Sequence, residues 1–478
     1  MVNSSDLINF ISSNQREFNV LSKTRLKDIK HQRPCIKNLK NHIDKFIDAE
    51  GEYYNRCIML PGFRGVGKTT ILYQLYNYLI DEKNISFNDI FYLDMSSLRD
   101  NYDVGIRDVF ELYLENFHQT TLVNLNKKIF FFIDEAQIDK NWANYAKLLH
   151  DKSFNVFCIF TGSSAINFEI NNAAARRVKY EKIYPVDFKE YLLLKHDLDI
   201  PDNNFKDLIL KADRDSIDKA IEIENEIRKK LILLNNDLNI EFKKYIETFG
   251  FPFALKMDDI DVHLYTISII KRIITDDLPL FYNFNNINLI IMKIILYLSS
   301  KKPGNTSSNA ISQAMGINVK TTNKILEALE NSLLLFSIGA YGSAGKMLNK
   351  PYEHFFLTPS IKASLNYYTR RFDLNNDKCF SHLVENEIAS ILFKLSRKTW
   401  GAVEIFYDSD KRGVDFIVKH LDKVIPIEVG IGKKTKSQLT RAINKYDADF
   451  GILISARRDN IEFVNNILYI PLLTFVLM

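Results

Sequence analysis

Short, unbroken apolar runs mark the first third of the chain: Cys57–Leu60, Ile90–Leu93, Ile129–Ile133 and Val156–Phe160. Runs of four or five residues bounded by polar positions predict strands buried on both faces of a parallel sheet. Between them the period changes. After Thr69 the apolar positions Ile71, Leu72, Leu75 and Leu79 recur at helical spacing. Strand–helix alternation of this kind predicts an α/β core with a doubly wound parallel sheet, placed over residues 1–184.

Further on, residues 185–277 read as helix-rich. Ile217–Leu234 mixes acids and bases between apolar positions, the pattern of a solvated lid or connector helix. Residues 278–370 follow another rhythm: an apolar helix over Ile287–Ser300, a break at Pro303-Gly304, a short helix Ala310–Met315, a turn Gly316-Ile317-Asn318, a helix Val319–Asn331 and a strand Leu333–Ile338. Helix, helix-turn-helix and strand predict a winged helix. Were it to touch DNA, Lys320, Thr321, Thr322, Asn323 and Lys324 would enter the major groove; the alternative is a packing module. In residues 371–478 a helix over Ser381–Leu395 precedes a strand Ala402–Tyr407 and a hairpin of Gly413–Val418 with Val424–Val429. A helix Leu439–Lys445 and a strand Phe450–Ser455 follow.

Charge narrows the partners. Lys and Arg number 63 against 59 Asp and Glu, a net charge of +4, which excludes a uniform basic sleeve for nucleic acid and leaves room for a local patch. The four cysteines, Cys35, Cys57, Cys158 and Cys379, lack metal-site or disulfide-framework spacing, which fits a reducing cytoplasm. Leu289–Leu298 and Ile467–Met478 are shorter than the roughly 20 residues of a membrane span. The first ten residues lack the basic start and apolar run of a secretory signal. A cytoplasmic protein without a membrane partner is expected.

The chemistry concentrates between the first strand and helix. Gly62-Phe63-Arg64-Gly65-Val66-Gly67-Lys68-Thr69 fits G-x-x-x-x-G-K-[ST]. A triphosphate is a dense polyanion, and main-chain amides of a glycine loop can surround it without side-chain obstruction. Lys68 is expected on the β- and γ-phosphates and the Thr69 hydroxyl on Mg²⁺. The run ending Asp134-Glu135-Ala136-Gln137 puts carboxylates at a strand's C-terminal end, where α/β ligands bind. Asp134 is expected in the Mg²⁺ shell and Glu135 beside the attacking water, or else Glu135 only faces a helix dipole. Thr161-Gly162-Ser163-Ser164 ends another strand with hydroxyls that reach the γ-phosphate or simply cap a turn. Arg176-Arg177 is either a transition-state pair offered to a neighbouring subunit or a solvated surface pair.

These residues resemble the AAA+/STAND-type ATPases of bacteria and archaea. The resemblance rests on Gly62–Thr69, the Asp134–Gln137 run, Phe160–Ser164, Tyr184–Tyr191 and Thr248-Phe249-Gly250-Phe251-Pro252. It implies ATP and Mg²⁺ as ligands. Gly62, Gly65, Val66, Gly67, Lys68, Thr69 and Thr70 would line the phosphates, with Thr161 and Ser163 nearby. Arg33 and Pro34 would lie near the adenine, and Pro252 of the helical lid near the nucleotide. Arg177 takes the family's arginine position, with Arg176 where a glycine is usual; acting in trans it would require a homo-oligomer.

In the C-terminal segment, two carboxylates converging across a hairpin can bind Mg²⁺. The segment resembles a PD-(D/E)xK nuclease, a restriction-endonuclease-like α/β domain, with Glu385, Asp415 and Glu428 as its acids. Gly430 stands where that motif has its lysine, so either Lys433, Lys434 or Lys436 reaches back or the site is inactive. The resemblance implies an ATP-driven switch gating a nuclease-like module on DNA, plausible in bacterial defence. The alternative is an ATP-dependent scaffold that binds DNA or a protein partner without cutting.

Overall fold

The computed structural model describes residues 4–163, 176–200, 204–282, 287–303, 306–399, 401–430 and 436–477. The chain divides into two compact units. The first comprises Met1–Pro185 with Asp276–Asn283 and Asn331–Leu333, and the second takes Val186–Thr275, Phe284–Glu330 and Leu334–Met478.

The first unit is built on a five-stranded sheet: β1 (Cys57–Pro61), β2 (Ile90–Asp94), β3 (Ile129–Asp134), β4 (Val156–Gly162) and β5 (Lys179–Tyr180). Their order is β2-β3-β4-β1-β5 and every pairing is parallel. The four apolar runs are all strands, and β1, β3 and β4 are buried along their whole length. Because β1, β4 and β3 are neighbours, their C-terminal ends form one rim. Pro61 pairs with Gly162 and Ile133 with Phe160.

The exposed side of β2 is closed by helix α1 (Ser4–Leu26), which no motif anticipated. Gln15 accepts from the Tyr92 amide (3.3 Å) and donates to the Tyr92 carbonyl (2.8 Å), and Phe18 stacks on the Tyr92 ring at 3.7 Å. An unpaired strand edge is a liability, and α1 satisfies its hydrogen bonds. At the other end of the sheet the fully buried Arg56 donates to the Tyr53 carbonyl (2.9 Å) and the Ser153 carbonyl (3.3 Å).

In the second unit, helices Phe188–His196, Arg214–Leu231, Leu238–Thr248 and Asp259–Arg272 precede Asn288–Ser299, Ser308–Met315 and Val319–Asn331. Strands β6 (Leu335–Ala340), β7 (Glu353–Phe356), β8 (Val403–Tyr407), β9 (Phe416–His420), β10 (Lys423–Gly430), β11 (Gly451–Ser455), β12 (Glu462–Val464) and β13 (Ile467–Pro471) form one sheet of order β12-β13-β11-β10-β9-β8-β6-β7. Strand β6 pairs antiparallel with β7 and parallel with β8. The expected wing and the C-terminal sheet are therefore continuous.

Several boundaries move for local reasons. The strand expected from Leu333 starts at Leu335, because Leu333 is left-handed (φ 59°) where the chain leaves the preceding helix. The hairpin strand expected from Gly413 starts at Phe416, since Gly413 closes a turn onto the Asp410 carbonyl (3.0 Å). The helix expected over 217–234 runs Arg214–Leu231, capped by Asp213, whose carboxylate accepts from the Ser216 amide at 2.8 Å. Strand β5 is short, Lys179–Tyr180, and beyond it a single bridge joins Ile183 to Gly62. Gly304 and Ser164 lie outside the described residues.

Candidate nucleotide site and a C-terminal acidic cluster

The glycine loop leaves β1 at Pro61 and enters helix α3 (Lys68–Asn77) directly. Gly65 (φ 91°) and Gly67 (φ 93°) hold left-handed conformations, and Gly67 caps the helix. Side chains pay a penalty there, which explains both glycines. Gly62 is constrained by space instead: a Cβ would stand 2.6 Å from the Ile183 carbonyl oxygen. Gly62→Ala is therefore expected to lower stability by about 1–3 kcal/mol, as overpacking does, read as a shift in the urea unfolding midpoint. The Val66 side chain is buried beneath the loop. Arg33 clamps the loop from outside, donating to the Val66 carbonyl (2.8 Å) and the Tyr184 carbonyl (2.9 Å). Pro34 follows it as the residue before helix α2 (Cys35–Asp48).

Asp134 closes β3 at the same rim. It accepts from the Thr69 hydroxyl at 2.6 Å, from the Thr161 hydroxyl, and from the Tyr92 hydroxyl at 3.5 Å. Burial and the neighbouring Glu135 push its carboxyl up to about 6, against the opposing pull of Thr161, Thr69 and Lys68. Glu135 itself is left-handed (φ 53°), and its amide donates to Thr161 Oγ1 at 3.2 Å. Non-glycine residues in that region carry strain and gather at functional sites. The Gln137 amide reaches both the Glu135 carboxylate and Ser163 Oγ, the latter at 3.1 Å. Lys68 is buried and donates to the Gly62 carbonyl (2.8 Å) and the Phe63 carbonyl (3.3 Å). Burial lowers its ammonium pKa, while Glu135, Asp134 and Asp277 act in the other direction. Thr70 continues the first turn of α3.

Sequence reading missed four of these participants. Tyr92 carries no motif, and Gln137 lies in the Asp134–Gln137 run without a role assigned to it. Arg64 occupies a variable position of the loop, and its guanidinium pairs with the buried Asp277 at 2.8 Å. Asp277 stands 213 residues further along the chain, and only the fold brings it there. Its carboxyl is shifted upward by burial, with Arg64 opposing the shift.

Not every candidate residue joins this group. Arg177 donates to Asp151 Oδ1 at 2.6 Å. Both flank the N-terminal ends of β4 and β5, at the end of the sheet opposite the loop, in a cavity of about 370 Å³ also lined by Arg176, Tyr54, His150 and Phe154. Pro252 opens a short 3₁₀ turn, Pro252–Lys256, in the second unit.

In the C-terminal sheet, Asp415 precedes β9 and faces Glu428 of β10. The Asp415 amide donates to Glu428 Oε2 at 3.3 Å, and Asp415 Oδ2 accepts from the Val429 amide at 2.9 Å. Glu385 comes from helix Asp377–Lys398. The ammonium of Lys302 links the group, 3.3 Å from Glu385 Oε1 and 3.6 Å from Asp415 Oδ1. Nothing in the sequence pattern pointed to Lys302. Close by, the Glu353 carboxyl is pushed up to about 8, by burial first and then by Glu385. Among the described residues no group of three or more His, Cys, Asp or Glu side chains is disposed to hold a metal ion. Lys436 stands 5.4 Å over the Tyr469 ring, and Lys433 and Lys434 lie outside the described residues.

A glycine loop between a parallel strand and a helix, with a carboxylate closing the strand two places away, defines a P-loop nucleotide-binding core. The family model of the AAA domain matches residues 54–192, and that of a domain of unknown function (DUF4143) matches residues 380–475. The chain thus joins an AAA-type ATPase domain to a DUF4143 domain. It belongs to the family of the uncharacterized protein MJ1637 of Methanocaldococcus jannaschii, to which it is 31% identical over 445 residues, 92% of this chain and 88% of that protein. Uncharacterized protein MJ1544 of the same organism is 26% identical over 205 residues, 43% of this chain and 37% of that protein. Among solved structures, the Aeropyrum pernix ORC1 protein in complex with DNA aligns with a TM-score of 0.31 at 11% identity, covering 70% of this chain and 92% of that one. AMPPCP-bound DnaA from Aquifex aeolicus aligns at 0.26 and 14%, covering 64% and 90%. Among the described residues no helix is long and apolar enough to cross a membrane.

Proposed function

We propose that this protein is an ATP-hydrolysing switch whose nucleotide state is passed to a C-terminal effector module. The observation that carries the reading is the convergence of the loop, Lys68, Thr69, Asp134 and Thr161 at one rim of the sheet. The donor set suits the ligand. Thr69 and Asp134 offer hard oxygens to Mg²⁺, and loop amides with one ammonium suit a polyphosphate. When bound, Mg²⁺ neutralises phosphate charge. Thr69 and Asp134 hold that charge in place, Lys68 neutralises the outer phosphates, and Glu135, oriented by Gln137, positions the attacking water. Arg33 and Pro34 border the adenine. Arg177, at the far end of the sheet and paired with Asp151, takes no part in hydrolysis within its own chain.

Residues 276–283 belong to the first unit, yet the chain on both sides of them belongs to the second. Asp277 in that strap pairs with Arg64 of the phosphate loop. Calorimetric titration of ATP with and without Mg²⁺ tests the reading; the absence of magnesium-dependent binding sinks it.

For the C-terminal module, restriction-endonuclease-like in this reading, one observation favours a binding role over cutting. Position 430 offers no lysine, and the Lys302 ammonium already bridges two of the three acids. The effector then recognises DNA, through the winged helix and this module, or a protein partner, without cleavage. Incubating the full chain with plasmid DNA, ATP and Mg²⁺ is expected to leave it intact. Cleavage that falls at least tenfold in Asp415→Ala would instead establish a nuclease.

A further inference from the structure

A second surface, away from every motif, carries its own chemistry. Helices Asp259–Arg272 and Pro359–Tyr368 enclose a cavity of about 420 Å³, lined by His263, Leu264, Ile267, Tyr367, Tyr368, Arg370 and Phe372. The lining is aromatic and includes no carboxylate. His263 and Tyr367 stack with centroids 4.5 Å apart and planes 24° apart, and Phe372 meets His263 edge-on at 5.7 Å. His263 is locked in place by Ser364 Oγ, 3.0 Å from its Nδ1. Its Nε2 side faces Glu247 at 3.9 Å. Outward, Tyr367, Tyr368 and Leu264 are 37%, 47% and 55% exposed. A contiguous aromatic face left open to water marks an interaction site.

Cations frame this face. Lys271 lies 5.5 Å over the Tyr368 ring. Arg272, Arg370 and Arg371 are exposed at the same two helix ends. The turn is rigid: Arg370 is left-handed (φ 58°), its amide donates to the Tyr367 carbonyl (2.9 Å), and the Arg371 amide donates to the Asn366 carbonyl (2.8 Å).

We infer that this face binds single-stranded nucleic acid, bases stacking on the exposed rings of Tyr367 and Tyr368 and phosphates lying on Arg370 and Lys271. Stacking platforms beside basic side chains suit bases that are not paired. A duplex keeps its bases stacked, so the same cavity discriminates strand from duplex. This surface is separate from the winged-helix residues Lys320 and Lys324 and does not depend on the switch reading.

Fluorescence anisotropy of the full chain with a labelled oligonucleotide of roughly 12 nucleotides tests it, since single-strand sites span about 4–16. A hairpin duplex of the same composition runs alongside, without ATP. The single strand is expected to bind more tightly than the duplex. Tyr368→Ala should weaken it by about fivefold to a hundredfold, with Tyr368→Phe restoring affinity. Arg370→Gly keeps the left-handed turn while removing a phosphate contact, and should flatten the slope of log K against log salt by about 0.7. Three results overturn the inference: no single-strand binding, parental affinity in both Tyr368→Ala and Arg370→Gly, or duplex preference with loss confined to Lys320→Ala. Unchanged thermal unfolding midpoints separate these readouts from misfolding.

Discussion

Glu135→Gln is expected to slow ATP hydrolysis by about 100- to 10,000-fold while leaving ATP affinity within a few-fold of the parent. Removing a positioned base typically costs a factor of this size. Glutamine keeps the shape of the side chain and its contact with Gln137 but cannot draw a proton from water. The backbone demand is met as well. Position 135 is left-handed and donates its amide to Thr161, and neither feature depends on the carboxylate. Phosphate release under single-turnover conditions, beside calorimetric affinity on the same preparation, gives both numbers. Hydrolysis at the parental rate would remove Glu135 from the chemistry and reduce it to a residue at a turn.

Lys68→Ala is expected to weaken ATP·Mg²⁺ binding by roughly 100-fold. A hydrogen bond to a charged group contributes about 1.5–3 kcal/mol, and each 1.4 kcal/mol is tenfold in affinity. One ammonium serving two phosphates therefore accounts for about 3 kcal/mol. Without nucleotide the same ammonium lies buried against the Gly62 and Phe63 carbonyls. Alanine strips those carbonyls of a donor, so a modest loss of stability should accompany the loss of affinity. Melting curves without ligand separate the two effects. Affinity within threefold of the parent would mean the loop does not hold phosphate in the way drawn here. The two variants also differ in kind: one should bind without turning over, and the other should do neither.

The candidate nucleotide site was legible because its chemistry is local. A glycine loop, a lysine and a hydroxyl must be consecutive for a strand-to-helix turn to present them, so Gly62–Thr69 betrays itself. Asp134 and Glu135 were legible for a related reason, since an unbroken apolar run of five residues ending in acids reads as a buried strand with its carboxylates at the rim. Tyr92, Gln137 and Asp277 were not legible, because each acts through a side chain whose partner is set by packing. Tyr92 reaches Asp134 only since β2 lies beside β3. Asp277 reaches Arg64 only since a short segment from between helices returns to the first unit. The C-terminal acids were visible as residues, but Lys302 was not, because it comes from a turn more than a hundred positions before Asp415. The aromatic cavity left no signature, since Tyr367-Tyr368 at a helix end reads equally well as ordinary packing.

By itself, then, the order of residues determined the strands, the phosphate loop and the candidate Mg²⁺ oxygens, all of which depend on contacts within a few positions or on the burial of whole apolar runs. Tertiary structure decided which charges meet: Arg64 with Asp277, Lys302 with Glu385 and Asp415, Arg177 with Asp151 rather than with the loop. The reason is range. Backbone conformation and strand burial are set by near neighbours and the period of the sequence, whereas an ion pair depends on the path of the whole chain between its members.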